Sequence, residues 1–232
     1  MTIRFRTSRL ACGAAALLLA IQAAAAPAEY AIRWDPSRGG PDSALAAAAA
    51  LGRHVDKVKV YQIDYFDVAT GADATPVIAR RRTHDDTTQL TLKMRAADGQ
   101  GDVSPGTGCA LGSAAEGKTE VDITMLAGGQ ARRAPSFSCT LDGPRGLAFA
   151  PELRAVPKGC VATMRRLRSD DVDIEEWSVH GGAQRLIEVS MKGADDPATQ
   201  RRFAAGVVAP LLAAQAVPLA ASKTDFVSAC KP

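Results

Sequence analysis

The sequence predicts an α+β fold dominated by an antiparallel sheet. Three observations carry that expectation. Apolar and charged side chains alternate with a period of two through the middle of the chain, as they do where one strand face is buried and the other is not. Polar or glycine-rich stretches such as "THDDTT" separate the alternating runs. Helical signals are confined to two segments, one near each end of the folded part.

Before the first of these segments lies a leader. Arg4, Arg6 and Arg9 form a basic n-region, and "LACGAAALLLAI" is an apolar run too short to span a bilayer with ease. Small residues follow, with cleavage options after Ala25 or Ala28, so residues 1–28 read as a secretory signal peptide. Cys12 precedes most of the apolar run, and Arg9 stands where a lipobox wants an apolar residue, which excludes a lipoprotein anchor. The whole chain has 28 basic and 25 acidic residues, but the leader holds three arginines and no acid. The remaining domain, 29–232, is therefore near neutral, and net charge gives no case for nucleic acid or an anionic membrane. The roughly 204–207 residues left suffice for one well-buried domain. Its longest apolar run, "GVVAPLLAAQAVPLAA", is broken by Pro210 and Pro218, so no membrane span is expected and the protein should be periplasmic or secreted.

The elements follow in order. "PDSALAAAAALGRH" has Asp42 or Ser43 as N-cap, an alanine body and Gly52 near its end, and reads as a helix. "VKVYQIDYFDV" alternates β-branched and aromatic residues and reads as a strand. Arg80 and Arg82, then Lys93 and Arg95, flank the turn-like "THDDTT" and predict a hairpin with cations on one face. "GDVSPGTGCALGSAAEGK" is a loop; it lacks the lysine and following helix of a phosphate-binding loop. "TEVDITML" sets Glu120, Asp122 and Thr124 against Val121, Ile123 and Met125. "PSFSCTLD", "CVATMRRLR" and "DIEEWSV" are further strands. "RLIEVSMK" places Glu188, Ser190 and Lys192 on one face. In "DDPATQRRFAAGVVAPLLAA", Asp196 is an N-cap, Pro197 the first helical residue, and Phe203, Val207 and Leu211 an apolar stripe that Pro210 kinks or ends. The total is about eight strands with a few helices.

Cys109, Cys139, Cys160 and Cys230 remain after cleavage, an even number suited to two disulfides in an exported chain. Three pairings are open. Cys109 with Cys139, flanking one strand region, and Cys160 with Cys230, closing the second half, are preferred. Each would stabilise by about 3–4.5 kcal/mol on the chain-entropy model.

One face of each strand is charged rather than merely polar. Arg80, Arg82, Lys93, Arg95, Arg166 and Arg168 are cationic positions; Glu120, Asp122 and Glu188 are acidic ones. A single such face is explained by solvent. Repeated across five strands, it fits a sheet closed into a barrel whose alternate residues line a charged lumen. Unpaired charge is costly there, so the lumen would hold an anion and a metal ion.

At this point the residues resemble a family. Tyr65-Phe66-Asp67, Arg80-x-Arg82 and Leu90-Thr91-Leu92-Lys93 are similar to the strands of CYTH-like, triphosphate-tunnel proteins. "EEWSVHGGAQRLIEVSMK" and "SKTDFV" look like that group's acidic strand and closing segment, and the likeness runs in order over residues 29–228. It implies a mainly antiparallel eight-stranded β-barrel, or tunnel, with a few flanking helices. It also implies that Arg80, Arg82, Lys93, Arg95, Arg166 and Lys192 bind a phosphate-rich small anion. Glu120, Asp122 and Glu188 would hold Mg or Mn. The chemistry is coherent: arginine grips phosphate oxygens bidentately, hard divalent cations take carboxylate oxygens, and phosphoryl transfer needs no side-chain nucleophile. One stretch departs. Where the family begins Glu-x-Glu-x-Lys, this chain has Glu29, Ala31 and Arg33, and cleavage after Ala28 would make Glu29 terminal.

Other chemistry is not supported. His54, His84 and His180 lack metal-ligand spacing, there is no Gly-x-Ser-x-Gly elbow, and Trp34 and Trp177 read as packing residues. Two functions are expected: a metal-dependent triphosphatase, or a lapsed tunnel that binds an anion or a partner protein without turnover.

Overall fold

The alternating runs form nine strands: β1 (Pro27–Trp34), β2 (Lys57–Asp67), β3 (Val77–His84), β4 (Thr87–Arg95), β5 (Glu116–Met125), β6 (Ala131–Pro144), β7 (Val156–Ser169), β8 (Val172–Val179) and β9 (Gln184–Ala194). The computed structural model describes residues 25–68, 77–96, 103, 109–179 and 183–230. The apolar run of the leader, His180 and, in the glycine-rich loop, residues 101, 102 and 104–108 lie outside the described residues. The strands close into a barrel in the order β1-β5-β6-β4-β3-β2-β7-β8-β9. The expected count of eight is corrected to nine, and the expectation of a mainly antiparallel barrel becomes a mixed one. β1 is the added strand, and it runs parallel to β5 from Ala28↔Val121 to Ile32↔Met125. Directions cannot alternate all the way round an odd ring, so at least one neighbouring pair must be parallel. The other eight pairings are antiparallel.

β1 is a strand by pattern as well. Tyr30, Ile32 and Trp34 are fully buried on one face, while Glu29, Ala31 and Arg33 turn to the lumen. The β3–β4 hairpin turns at Asp85, whose positive φ of 51° suits the short polar turn expected there. Its register places Arg80 opposite Thr91 and Arg82 opposite Gln89.

Helices cover the outside of part of the ring. α1 (Ala44–Ala50) is capped by Ser43, whose Oγ accepts from the Ala46 N–H at 3.2 Å. Ala44, Ala47 and Ala48 pack in one apolar cluster with Leu167, Ile174 and Leu211. α2 (Pro197–Phe203) is capped by Asp196, which accepts from the Thr199 N–H at 2.7 Å. It widens into a π-turn over Ala204–Val208 before α3 (Ala209–Ala213). Pro210 has no N–H to donate, and the wider turn just before it absorbs that break. Phe203, Val207 and Leu211 stay on one buried stripe, with Phe203 5.8 Å from the Tyr30 ring.

The inside of the barrel is divided. Near one end Ile63, Met164, Trp177 and Leu186 form an apolar plug with Val227 of α4 (Lys223–Ser228). The rest is charged. Both preferred disulfides are present: Cys109–Cys139 ties the loop after β4 to β6, and Cys160–Cys230 ties the segment after α4 to β7. Two disulfides suit an oxidising compartment. No helix among the described residues is long and apolar enough to cross a membrane.

Candidate functional site

Strand parity converges on one cavity of about 370 Å³ inside the barrel. All six expected cations, Arg80, Arg82, Lys93, Arg95, Arg166 and Lys192, line it. So do the three expected carboxylates, Glu120, Asp122 and Glu188. Arg80 and Glu188 thus face the same lumen from opposite sides of the ring. Arg168 does not line it; Arg168 is 60 % exposed and bonds Asp173 at 3.2 Å. Arg81, of opposite parity, points outward to Asp64 at 3.1 Å and lies over the Phe66 ring.

The lining also includes charged residues that the sequence reading did not assign: Glu29, Arg33, Lys118, Asp173, Glu175 and Lys223. Nine basic side chains face six acidic ones. All but Asp173, which bonds Arg168, sort into three groups.

The first group is self-neutralised and lies against α4. Lys223 reaches in from that helix and donates to Glu175 at 2.9 Å and Glu188 at 2.6 Å. Arg33 donates to the other Glu188 oxygen and, at 3.2 Å, to Thr124 Oγ1. Arg166 Nε donates to Glu175 at 2.9 Å, and the Trp177 indole N–H adds a bond of 3.0 Å. Burial alone would raise both carboxylates, but Lys223, Arg166 and Arg33 outweigh it and hold them below the usual range. Burial pushes Lys223 the other way, and the two glutamates more than restore it, leaving it raised.

The second group centres on β5. Lys93 sits between Glu120 at 3.4 Å and Asp122 at 2.9 Å; Arg95 donates to Asp122 at 2.8 Å, and Lys118 bonds Glu120. Burial would raise Asp122, but Lys93 and Arg95 lower it. Glu29, across the parallel seam from Asp122, brings a third carboxylate. Ligand oxygens of Glu29, Glu120 and Asp122 lie within 4.8 Å of one another. Glu188 is not in this cluster; both of its oxygens are engaged by Arg33 and Lys223. Such a set of hard oxygens fits Mg or Mn, in competition with the Lys93 ammonium that now bridges two of them. Glu29 is half-buried within β1 of the uncleaved chain.

The third group is unneutralised. Among the described residues, Arg80, Arg82 and Lys192 have no salt bridge. Arg80 donates to Thr91 Oγ1 at 3.3 Å, and Arg82 lies over the Tyr61 ring at 5.2 Å. The Nε atoms of Arg80 and Arg82 are buried without any hydrogen-bond partner. Burial, with Arg80 and Arg166 nearby, pulls Arg82 down to about 9. A guanidinium gives up its proton reluctantly, so that field acts mainly as a demand for an anion.

Sequence could have shown part of what it missed. Glu175 shares parity with Trp177, and Glu29 and Arg33 share parity in "EYAIR". Nothing local marks Lys223 as an inward residue.

No family model matches the chain, and no curated protein matches it. Among solved structures, the PH1819 protein of Pyrococcus horikoshii aligns at 8 % identity over 85 % of this chain and 96 % of its own, with a TM-score of 0.46. The PH1012 protein of the same organism aligns at 13 % identity over 88 % and 99 %, TM-score 0.43. A conserved hypothetical protein from Pyrococcus furiosus aligns at 11 % identity over 86 % and 99 %, TM-score 0.44. Likeness at that level says nothing of chemistry, and the barrel stands on its own strand pairing.

Proposed function

We propose that the chain is an exported, CYTH-like tunnel protein whose cavity binds a phosphate-rich anion. One observation carries this: Arg80 and Arg82 hold buried Nε atoms without a hydrogen-bond partner, and neither side chain has a salt bridge among the described residues; the attraction of Glu175 for Arg82 is outweighed by burial and by Arg80 and Arg166. Phosphate oxygens would satisfy both donors and neutralise the field, and arginine forks match their geometry. Lys192 faces the same space and would hold further oxygens, whereas Arg166, Lys93 and Arg95 line it with a carboxylate partner already bound and would share it with the anion. Cleavage after Ala25 would leave β1 whole, whereas cleavage after Ala28 would remove its first two residues.

The test is calorimetric titration of the mature chain with tripolyphosphate. Affinity should fall as salt rises, because the attraction is largely Coulombic. Arg82→Glu should weaken binding by about tenfold or more, since charge-assisted hydrogen bonds are lost and repulsion is added. Arg81→Glu, outside the barrel, should leave it unchanged. Absence of saturable binding, or equal sensitivity at Arg81, removes the reading.

A second reading, a metal-dependent phosphoanhydride hydrolase, is favoured by the Glu29, Glu120 and Asp122 cluster. Those residues would hold Mg or Mn; when bound, such an ion neutralises phosphate charge and orients the attacking water. Ala31, where the family has glutamate, removes one carboxylate from that wall and favours binding over turnover. Orthophosphate release stimulated by Mg or Mn, and lost in Asp122→Asn, would decide for hydrolysis.

A further inference from the structure

The charged cavity is walled on one side by Ser222, Lys223 and Thr224, at the start of a helix of six residues. So short a helix has little stability of its own. Its capping box is local: Ser222 Oγ accepts from the Asp225 N–H at 3.1 Å, and Asp225 accepts from the Ser222 N–H at 2.8 Å. What holds it to the barrel is different. Lys223 bridges Glu175 and Glu188, Val227 enters the apolar plug, and Cys230 is bonded to Cys160 of β7. The approach is close. Gly159, at φ 69°, faces the helix so tightly that a Cβ there would lie 2.3 Å from the Val227 carbonyl oxygen. Upstream, the connecting chain is pinned separately, by the Leu219 N–H to the Arg33 carbonyl at 2.8 Å and by the Trp34↔Pro218 bridge. The segment 220–230 is therefore a unit with one fixed end and one covalent latch.

We propose that α4 is a redox-latched stopper of the cavity: the Cys160–Cys230 bond keeps it closed, and a dithiol reductant releases it. The step is thiol–disulfide exchange. A thiolate of the reductant attacks one sulfur, the Cys160–Cys230 bond breaks, and the reductant's second thiolate closes its own disulfide. Two protein thiols result, and two electrons pass from reductant to protein. Release withdraws the Lys223 ammonium from the cavity and takes one cationic partner from each of Glu175 and Glu188. Both changes disfavour an anion there. The control of ligand binding rests on the anion-binding reading; the opening of α4 does not.

Hydrogen exchange of the mature chain, oxidised and after a dithiol reductant, tests it. Amides in 222–230 should exchange up to about 1,000-fold faster once reduced, the chain-entropy scale for losing the cross-link that closes a 70-residue loop. Amides of β8 and β9 should keep their protection. Cys160→Ser with Cys230→Ser should reproduce the change without reductant; Cys109→Ser with Cys139→Ser should not. Unchanged protection of 222–230 overturns the proposal, and so does loss of protection shared with β8 and β9, which would mean general unfolding. Tripolyphosphate affinity should drop about tenfold on reduction, as the cavity loses one cation and Glu175 and Glu188 keep only Arg166 and Arg33 as salt-bridge partners. If α4 opens while affinity holds, the stopper does not govern the site. If α4 opens and no anion binds in either state, the functional reading fails and the latch survives.

Discussion

Two walls of one cavity carry similar residues and treat charge in opposite ways. Against α4, Glu175 and Glu188 are matched by Arg33, Arg166 and Lys223, and every partner is a protein side chain. On β3, Arg80 bonds a threonine hydroxyl, Arg82 lies over a tyrosine ring, and neither has a salt bridge among the described residues; Glu175 attracts Arg82 without a direct bond. Their electrostatic responses diverge accordingly: Lys223 and Arg166 are raised by their carboxylates, whereas Arg82 is lowered by burial and by neighbouring cations. Charge inside a barrel is structural where the chain supplies the counter-charge. It is available for a ligand where the chain does not.

The largest break in that comparison comes from the neutralised wall. Lys223→Met would leave two buried carboxylates opposite one another across the β8–β9 pair, Glu175↔Glu188. Removing one partner of a buried ion group costs about 3–5 kcal/mol. Thermal and urea melts at neutral pH should show that loss in full. A change below about 1 kcal/mol would mean that the two glutamates are solvated and the wall is not closed.

The same wall should respond to acid. Glu175 and Glu188 are both held below 4.5, chiefly by Lys223 against the opposing pull of burial. A carboxylate with a depressed folded value contributes stability that is present above its unfolded value and lost as pH falls through the folded one. Stability should thus be flat above about pH 5 and decline progressively below about pH 4.5. Urea midpoints measured down to about pH 3 would trace it, and Lys223→Met should make the limb shallower, because the largest cause of the depression is removed while Arg166 and Arg33 remain. An equally steep limb in the variant would assign acid sensitivity elsewhere.

How much of these walls was legible follows from the range of each signal. Period-two alternation is local, so Arg80 with Arg82, Lys93 with Arg95, Glu120 with Asp122 and Glu188 with Lys192 all fell on the correct face. Cross-strand register is not local. Nothing around Glu188 announces Arg33, which is 155 residues away, and nothing around Glu175 announces Lys223. Ser222 and Asp225 do spell a capping box, but a cap fixes where a helix starts, not which way its first lysine points. The ninth strand was missed because "AEYAIRW" follows directly on an apolar leader and looks like its tail. Once β1 is in the ring, Glu29 lies beside Asp122, and the parallel seam follows from the odd count.

The unneutralised wall gives the smallest effect on stability and the sharpest test of meaning. Arg82→Met removes a cation whose Nε is buried without a partner, and its methylenes can still pack against Tyr61. Repulsion from Arg80 and Arg166 is relieved, so the unliganded variant should be as stable as the parent or about 1 kcal/mol more stable. Lys223→Met moves the melt the other way, although both substitutions delete one cavity cation. Binding should reverse the ranking for Arg82: tripolyphosphate raises the parent's melting temperature by mass action and should raise the variant's much less. A protein that keeps a destabilising cation is trading stability for a ligand. If Arg82→Met instead destabilises the unliganded protein by as much as Lys223→Met, the two walls are not different in kind, and Arg82 belongs to the barrel's structure rather than to its site.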